Sequence, residues 1–303
     1  MKKIAISVGD LNGVGIEIAL KSHTEVSKLC NPIYCINKTM LNQALEALHV
    51  ELPKEFNTIH VEGEFDIKAG KVSAKAGKYS YDSFISAIKA CESKDTDAIV
   101  TMPIHKEAWM LAGLDYKGHT DLLRKYFNRD AIMMLGCEEM FVALFTEHIP
   151  LKDVAAAVQY KKLKQFFLDF HNSIGDEKVA VLGLNPHAGD NGVLGNEELR
   201  ITKAIKSANA KIGFEMFVGP LVPDVAFTPH TRVKYKYFIA MYHDQGLAPL
   251  KALYFDESIN VSLNLPIVRT SVDHGTAFDI AYRGEAKTLS YINAVKSAIV
   301  LAK

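Results

Sequence analysis

Short β-rich runs alternate with helical patterns along almost the whole chain, and this alternation restricts the fold more than any other feature. Strands are predicted at Lys3–Val8, Pro32–Ile36, Ala98–Met102, Phe141–Phe145, Val179–Leu184, Phe238–Tyr242, Val261–Leu263 and Ile267–Thr270. Helical spacing is predicted over Gly15–Ser22, Ser80–Cys91, Asp121–Phe127, Lys161–Asn172, Glu197–Lys206 and Leu289–Leu301. The strands are continuously apolar rather than alternating, as in mostly parallel sheets covered on both faces by helices. The fold class is therefore α/β.

At 303 residues the chain is long enough for two cores. Lys plus Arg and Asp plus Glu number 35 each, giving zero net charge, and no basic block suggests a nucleic-acid partner. No apolar run is long enough to span a membrane. Ile4–Val8, after Met1-Lys2-Lys3, is too short for a signal segment and reads as the first strand. The four cysteines form no CxxC pair, which fits a cytoplasmic protein without disulfide staples.

Polar motifs stand directly behind the predicted strands: Gly9-Asp10, Pro103-Ile104-His105-Lys106, Glu147-His148, Asn185-Pro186-His187 and His243-Asp244. In open α/β sheets, loops at the carboxyl ends of strands converge on the ligand. The densest stretch, 241–283, combines His243-Asp244-Gln245, Lys251, Asn260, Arg269 and Asp273-His274-Gly275-Thr276 with strand-forming sequence. It reads as a segment that handles a metal and an anion.

His148, His187 and His243 each follow a strand, and three imidazoles with one open position are the usual form of a catalytic metal site. Each histidine taken alone reads as well as an ordinary loop residue; the neighbouring Glu147, Asp190 and Asp244 add groups able to orient ligands. Gly118-His119-Thr120-Asp121 precedes an apolar-periodic helix, with Thr120 or Asp121 as N-cap and the helix start as an anion site. Lys251 and Arg269 supply charges suited to phosphate or carboxylate. The turn Gly9–Gly15 lacks the G-x-G-x-x-G spacing of a dinucleotide fingerprint. A better cofactor segment is Asp273–Asp279, where Gly275 permits close backbone approach and Asp279 can accept from a ribose or adenine.

Together these motifs resemble the 4-hydroxythreonine-4-phosphate dehydrogenase family of vitamin B6 biosynthesis. The resemblance covers essentially the whole chain through GDLNGVGIEI, TMPIHK, GHTD, TEHIPL, LNPHAGDNG, PDVAF, MYHDQGLAPLK and NLPIVRTSVDHGTAFDIA. Leu11 and Asn12 replace the family's usual Pro-Ala pair, and GHTD stands for the more usual GHTE.

The resemblance implies two α/β/α domains of the isocitrate and isopropylmalate dehydrogenase type, with the active site in the interdomain cleft. Residues 1–120 plus 255–303 are expected to form one domain and 121–254 the other, which would carry the metal ligands and the dimer interface. It implies one divalent metal (Zn, Mg or Co) on His148, His187 and His243, in a site shared across a homodimer. His148 and His187 are expected from one subunit and His243 from the other. It implies substrate contacts by His119, Thr120, Lys251, Asn260 and Arg269, and NAD or NADP against His274, Gly275, Thr276 and Asp279. Asp244, Asp224 and Lys251 are the candidate catalytic groups. The activity implied is NAD(P)-dependent oxidation of 4-(phosphooxy)-L-threonine, then decarboxylation to 3-amino-2-oxopropyl phosphate. The alternatives are a four-carbon phosphorylated hydroxy acid such as erythronate or threonate phosphate as substrate, or a metal-dependent hydrolase or aldolase.

Overall fold

The computed structural model describes residues 1–302. It contains eleven strands: β1 (Lys3–Ser7), β2 (Asn31–Cys35), β3 (Asn57–Ile59), β4 (Ala98–Thr101), β5 (Ile132–Cys137), β6 (Met140–Leu144), β7 (Val179–Leu182), β8 (Phe217–Leu221), β9 (Tyr237–Ala240), β10 (Ile259–Leu263) and β11 (Arg269–Val272). The chain divides into two compact units. One comprises 1–129, 259–261 and the chain from Leu265 onward; the other comprises 130–258 and 262–264. The helix His119–Phe127 thus belongs wholly to the first unit, where a boundary at residue 120 had been expected.

In the first unit the strand order is β3-β2-β1-β4-β11-β10. The β1–β2, β2–β3, β1–β4 and β4–β11 pairs are parallel. Ile4, Ala5, Ile6, Ala98, Ile99 and Val100 are fully buried, as expected for strands covered on both faces. Crossover helices such as Gly15–Val26 and Ala74–Glu92 connect them. Ser83 of the second helix accepts from the Val8 N–H and donates to the Cys35 carbonyl, joining the ends of β1 and β2. Gly9 is required where it stands: its φ is +70°, and a Cβ there would lie 2.3 Å from the Pro103 carbonyl oxygen. That approach lets the Asp10 N–H donate to Pro103 at 2.9 Å, so the loops after β1 and β4 touch.

In the second unit the order is β5-β6-β9-β7-β8, with β5–β6 antiparallel and the other pairs parallel. Its core gathers Met133, Leu135, Val142, Leu144, Leu182, Phe238 and Ala240 against Leu247 and Leu250. The last two belong to a helix, His243–Tyr254, that contains both Gly246 and Pro249. Gly246 explains how closely that helix packs: a Cβ would lie 2.4 Å from Val142 Cγ1 and 2.9 Å from Ala240 Cβ.

Gly246→Ala should therefore push the helix off β6 and β9 and destabilise the protein by about 1–3 kcal/mol, the usual cost of overpacking a core. Urea unfolding of the variant against the parent measures it; an unchanged midpoint would show that the sheet yields at that contact.

Candidate functional site

The first unit holds the residues expected to bind the substrate's anion. Arg269 opens β11 and is 2% exposed. Its Nε and Nη2 donate to Thr101 Oγ1 at 3.2 and 2.7 Å, across the parallel β4–β11 pair. Burial pushes its pKa down to about 9, so it remains charged at neutral pH. His119 lies near it and is held well below the usual histidine pKa, first by burial and then by the Arg269 charge. Its ring meets Phe84 edge-on at 4.7 Å and Trp109 at 5.8 Å, and its buried Nε2 has no hydrogen-bond partner. The Asn260 Oδ1, on β10, is likewise buried without a partner. Thr120 is buried in the first turn of His119–Phe127. Buried polar atoms without partners are uncommon in folded proteins, and a bound ligand is one way of completing their bonding. The N-cap of this helix is Gly118, with φ +149° and no side-chain cap, rather than Thr120 or Asp121. Asp121 instead accepts from the Lys117 N–H at 3.0 Å.

Of the other expected substrate contacts, Lys251 belongs to the second unit, partly buried in the last turn of His243–Tyr254.

The loop after β11 is bound to the loop after β1. The Thr276 carbonyl accepts from Val14 N–H at 3.0 Å, and a Cβ on Gly13 would lie 2.7 Å from that carbonyl oxygen. Gly275 has open space where its Cβ would be, so the protein's own packing does not require glycine there. His274 Nδ1 lies 3.0 Å from the Gly275 carbonyl oxygen, and Asp279 is exposed.

The second unit brings two of the three expected metal ligands together. Thr146 makes the link, with its N–H and Oγ1 both donating to the Met241 carbonyl, at 3.2 and 2.6 Å. Gln245 then accepts from the Met241 N–H and donates to the Gly183 carbonyl, fixing the start of the helix that His243 opens. As a result the His148 and His243 rings stand 5.4 Å apart, tilted by 47°. Two imidazoles held at about 2.1 Å from one tetrahedral ion would have centroids roughly 5 Å apart, so this pair fits a shared cation. His243 Nδ1 lies 2.7 Å from Asp244 Oδ1, the carboxylate contact that commonly orients a metal-binding imidazole.

His187 is placed differently. It sits exposed in the turn Pro186–Gly192, where His187, Ala188, Gly189, Asp190 and Asn191 all have φ between 42° and 80°. Glu198 holds this left-handed run, accepting from the N–H groups of Leu184 and Asn185 and from Asn185 Nδ2. Among the described residues no three His, Cys, Asp or Glu side chains converge as a metal site. Within one chain the His148 and His243 rings stand together, and His187 lies in the turn Pro186–Gly192. Asp224 is exposed in the short helix Pro223–Ala226, which packs on the His187 turn.

Thr101, Asp10, His105 and Glu198 also hold the loops and strands around these groups. Asp10 and His105 had been flagged by position behind β1 and β4; Thr101 and Glu198 carry no local signal, since their partners lie 168 and 13–14 residues away. Asp10 is fully buried. Its Oδ1 accepts from Asn12 N–H at 2.9 Å, while its Oδ2 has no partner. Burial raises its pKa to about 6 against the opposing Asn12 hydrogen bond and the nearby His105.

Residues 28–298 match the family model described as pyridoxal phosphate biosynthetic protein PdxA. The chain is 76% identical over 301 residues to a 4-hydroxythreonine-4-phosphate dehydrogenase of Sulfurimonas denitrificans, covering 99% of this chain and 98% of the relative. A crystal structure of 4-hydroxythreonine-4-phosphate dehydrogenase from Klebsiella pneumoniae superposes with a TM-score of 0.85, at 32% identity over all of both chains. The isocitrate dehydrogenase of Methylococcus capsulatus shares the fold alone, with a TM-score of 0.50 at 13% identity over 100% of this chain and 85% of that one.

A carboxyl whose folded pKa lies above its ordinary value contributes stability at low pH that is lost as pH rises through the folded value. For Asp10 the window runs from 3.8 to about 6, equivalent to about 3 kcal/mol. Asp10→Asn removes this dependence. The variant should gain about 2–3 kcal/mol over the parent between pH 4.5 and 8, read from denaturant midpoints at both pH values; a constant difference would refute the assignment.

Proposed function

This chain belongs to the PdxA family of pyridoxal phosphate biosynthetic proteins, and from that premise we infer that it oxidises 4-(phosphooxy)-L-threonine with NAD or NADP and decarboxylates the product to 3-amino-2-oxopropyl phosphate. The observation that carries the reading is the buried Arg269 with His119 close enough to feel its charge, together with the buried unpartnered atoms His119 Nε2 and Asn260 Oδ1. Arg269 supplies the charge for the substrate's phosphate, with Thr101 setting the plane of the guanidinium. His119, kept neutral, donates or accepts one hydrogen bond without adding a second positive charge. Thr120 and Asn260 are the further candidate contacts within the first unit. The Asp273–Asp279 loop, with its open space at Gly275, is the candidate cradle for the nicotinamide cofactor, against His274, Thr276 and Asp279.

When bound, a divalent ion such as Zn, Mg or Co supplies Lewis-acid polarisation of the substrate oxygen, and the dinucleotide supplies the hydride acceptor. His148 and His243 would hold that ion from one chain, Asp244 orienting His243, and His187 would come from a second copy. Ile149, Leu151, Val193, Leu194 and Val225 are large exposed apolar residues close in sequence to His148, His187 and Asp224. This supports a homodimer that associates through the second unit. The four free cysteines agree with a reducing compartment such as the cytoplasm.

The direct test is NADH formation from phosphorylated hydroxythreonine, with and without chelator. Turnover that requires metal supports the reading; faster turnover of erythronate or threonate phosphate would move the substrate to its analogues that lack the amine. Losing a charge-assisted contact costs roughly 1.5–3 kcal/mol, so Arg269→Ala should raise the substrate KM by about tenfold or more and leave that of NAD unchanged. For the ligand partition, His187→Ala and His243→Ala proteins are refolded together. Random pairing makes about half the dimers mixed, each with one intact site, so about a quarter of parent activity should return. His148→Ala mixed with His243→Ala should stay inactive, and recovery there instead would overturn the partition.

A further inference from the structure

No hydrogen bond sets the direction of the His119 ring: among the described residues the imidazole makes none, and its buried Nε2 has no partner. The terminal torsion of a histidine is intrinsically broad, so packing has to fix it. Two rings do so. Phe84, in the helix Ala74–Glu92, meets the imidazole edge-on at 4.7 Å and 87°. Trp109, in the helix Lys106–Leu111, meets it at 5.8 Å and 75°. Both lie at separations where edge-to-face packing is attractive. The imidazole is therefore held between aromatic walls and is only as fixed as they are.

The Trp109 wall is fixed at two levels. Its backbone is pressed onto the helix Ala74–Glu92 at Gly77, where a Cβ would lie 2.1 Å from the Ala108 carbonyl oxygen and 2.9 Å from the Trp109 nitrogen. Its indole is fully buried, and the N–H donates to Ser80 Oγ at 2.8 Å. Ser80 in turn donates to the Gly77 carbonyl at 2.8 Å, so its hydroxyl both donates and accepts. Helix contact and indole are thus tied to the same turn. Tyr81 and Tyr116 flank the indole edge-on at 6.0 and 6.4 Å. A buried indole needs an acceptor in any core. What distinguishes this one is that the ring so anchored ends against His119, an expected substrate contact.

We propose that Trp109 is a positioning residue: anchored by Ser80, it holds the His119 imidazole in the orientation in which that ring meets the phosphorylated substrate. This rests on the reading of His119 as a substrate contact given above. A hydrogen bond weakens steeply as its angle closes, so a turned imidazole loses the contact. A ring ordered in advance spares the ligand the cost of ordering it. Once Trp109 is loosened, only the fraction of molecules whose imidazole faces the ligand makes the contact, and apparent affinity falls by that fraction. The effect belongs to the substrate and not to the cofactor, because His119 is not among the groups set against the nicotinamide dinucleotide.

The test compares the metal-loaded parent with Ser80→Ala, Ser80→Thr, Trp109→Phe and His119→Ala, using NAD and phosphorylated hydroxythreonine. Ser80→Ala and Trp109→Phe each remove the indole anchor and should raise the substrate KM about five- to tenfold, moving that of NAD less than about twofold. Ser80→Thr keeps the hydroxyl and should stay within about twofold of the parent in both. Trp109 is the only tryptophan in the chain, so its emission reads the contact without any substitution. That emission should change when phosphorylated hydroxythreonine saturates the parent, and the response should be lost in His119→Ala. Folded Ser80→Ala and Trp109→Phe enzymes with the parent's substrate KM overturn the proposal. An equal rise in the NAD KM, the mark of general loosening, also overturns it, as does an emission indifferent to substrate in an active parent. If His119→Ala itself keeps the parent's substrate KM, the reading of His119 has failed and the proposal falls with it. If the parent does not turn over this substrate, the dehydrogenase reading has failed, and the His119 ring C–H resonances still decide what Trp109 does. Ring-shifted lines in the parent that move toward free-histidine values in Ser80→Ala support the positioning role; lines that stay in place overturn it.

Discussion

Arg269 is a full positive charge taken out of water inside a parallel sheet, and the first unit is arranged to make that tolerable. Transferring a guanidinium from water costs several kcal/mol unless it is hydrogen-bonded and finds compensating negative charge. Thr101 supplies bonds from the neighbouring strand, which is possible because β4 and β11 run parallel in a register that sets Ser271 beside Thr101. His119 answers the charge by staying neutral, so the site holds one fixed cation rather than two.

The second unit meets a different constraint, the placing of imidazoles on loops. His148 follows β6 and His243 follows β9, and those strands are parallel neighbours, so the two loops leave the same end of the sheet. Thr146 and Gln245 then convert proximity into a fixed distance. The His187 turn is held otherwise, by four non-glycine residues in the left-handed region. Such conformations cost of order 1 kcal/mol or more each and persist only where the surroundings fix them. Glu198 is that surrounding group: buried, and bonded to the two residues that enter the turn.

Most of this architecture was legible in the sequence because strands buried on both faces are unbroken apolar runs, and their ends are followed by polar motifs. What escaped has identifiable causes. β8 contains Gly219 and Pro220, which argue against a strand; β3 is three residues long with little burial. The helix His243–Tyr254 carries Gly246 and Pro249, and its existence depends on packing against Val142 and Ala240 that no local pattern reports. His148 and His243 were visible behind predicted strands, His119 at a helix start and Arg269 as a charge in a strand-forming stretch. Which histidines stand together was not, because a contact 95 residues apart, such as Thr146 to Met241, leaves no mark in spacing.

The departure from the family's turn at Leu11 and Asn12 shows how one exchange is absorbed by the chain around it. Leu11 is fully buried, filling a site where proline would have fixed the backbone instead. Asn12 does more than replace a small residue: its Oδ1 accepts from Lys68 N–H, its Nδ2 donates to the Lys71 carbonyl, and its own carbonyl accepts from Gly70 N–H. Those three bonds fasten the 68–71 segment onto the turn after β1. Gly70 in turn lies against Phe278, where a Cβ would come within 2.6 Å of the carbonyl oxygen. Asn12 therefore braces Phe278, on which the His105 ring stacks, while its own N–H donates to one oxygen of the Asp10 carboxyl. In this chain the asparagine joins the conformation of the glycine-rich turn to the placement of the carboxyl that the turn carries.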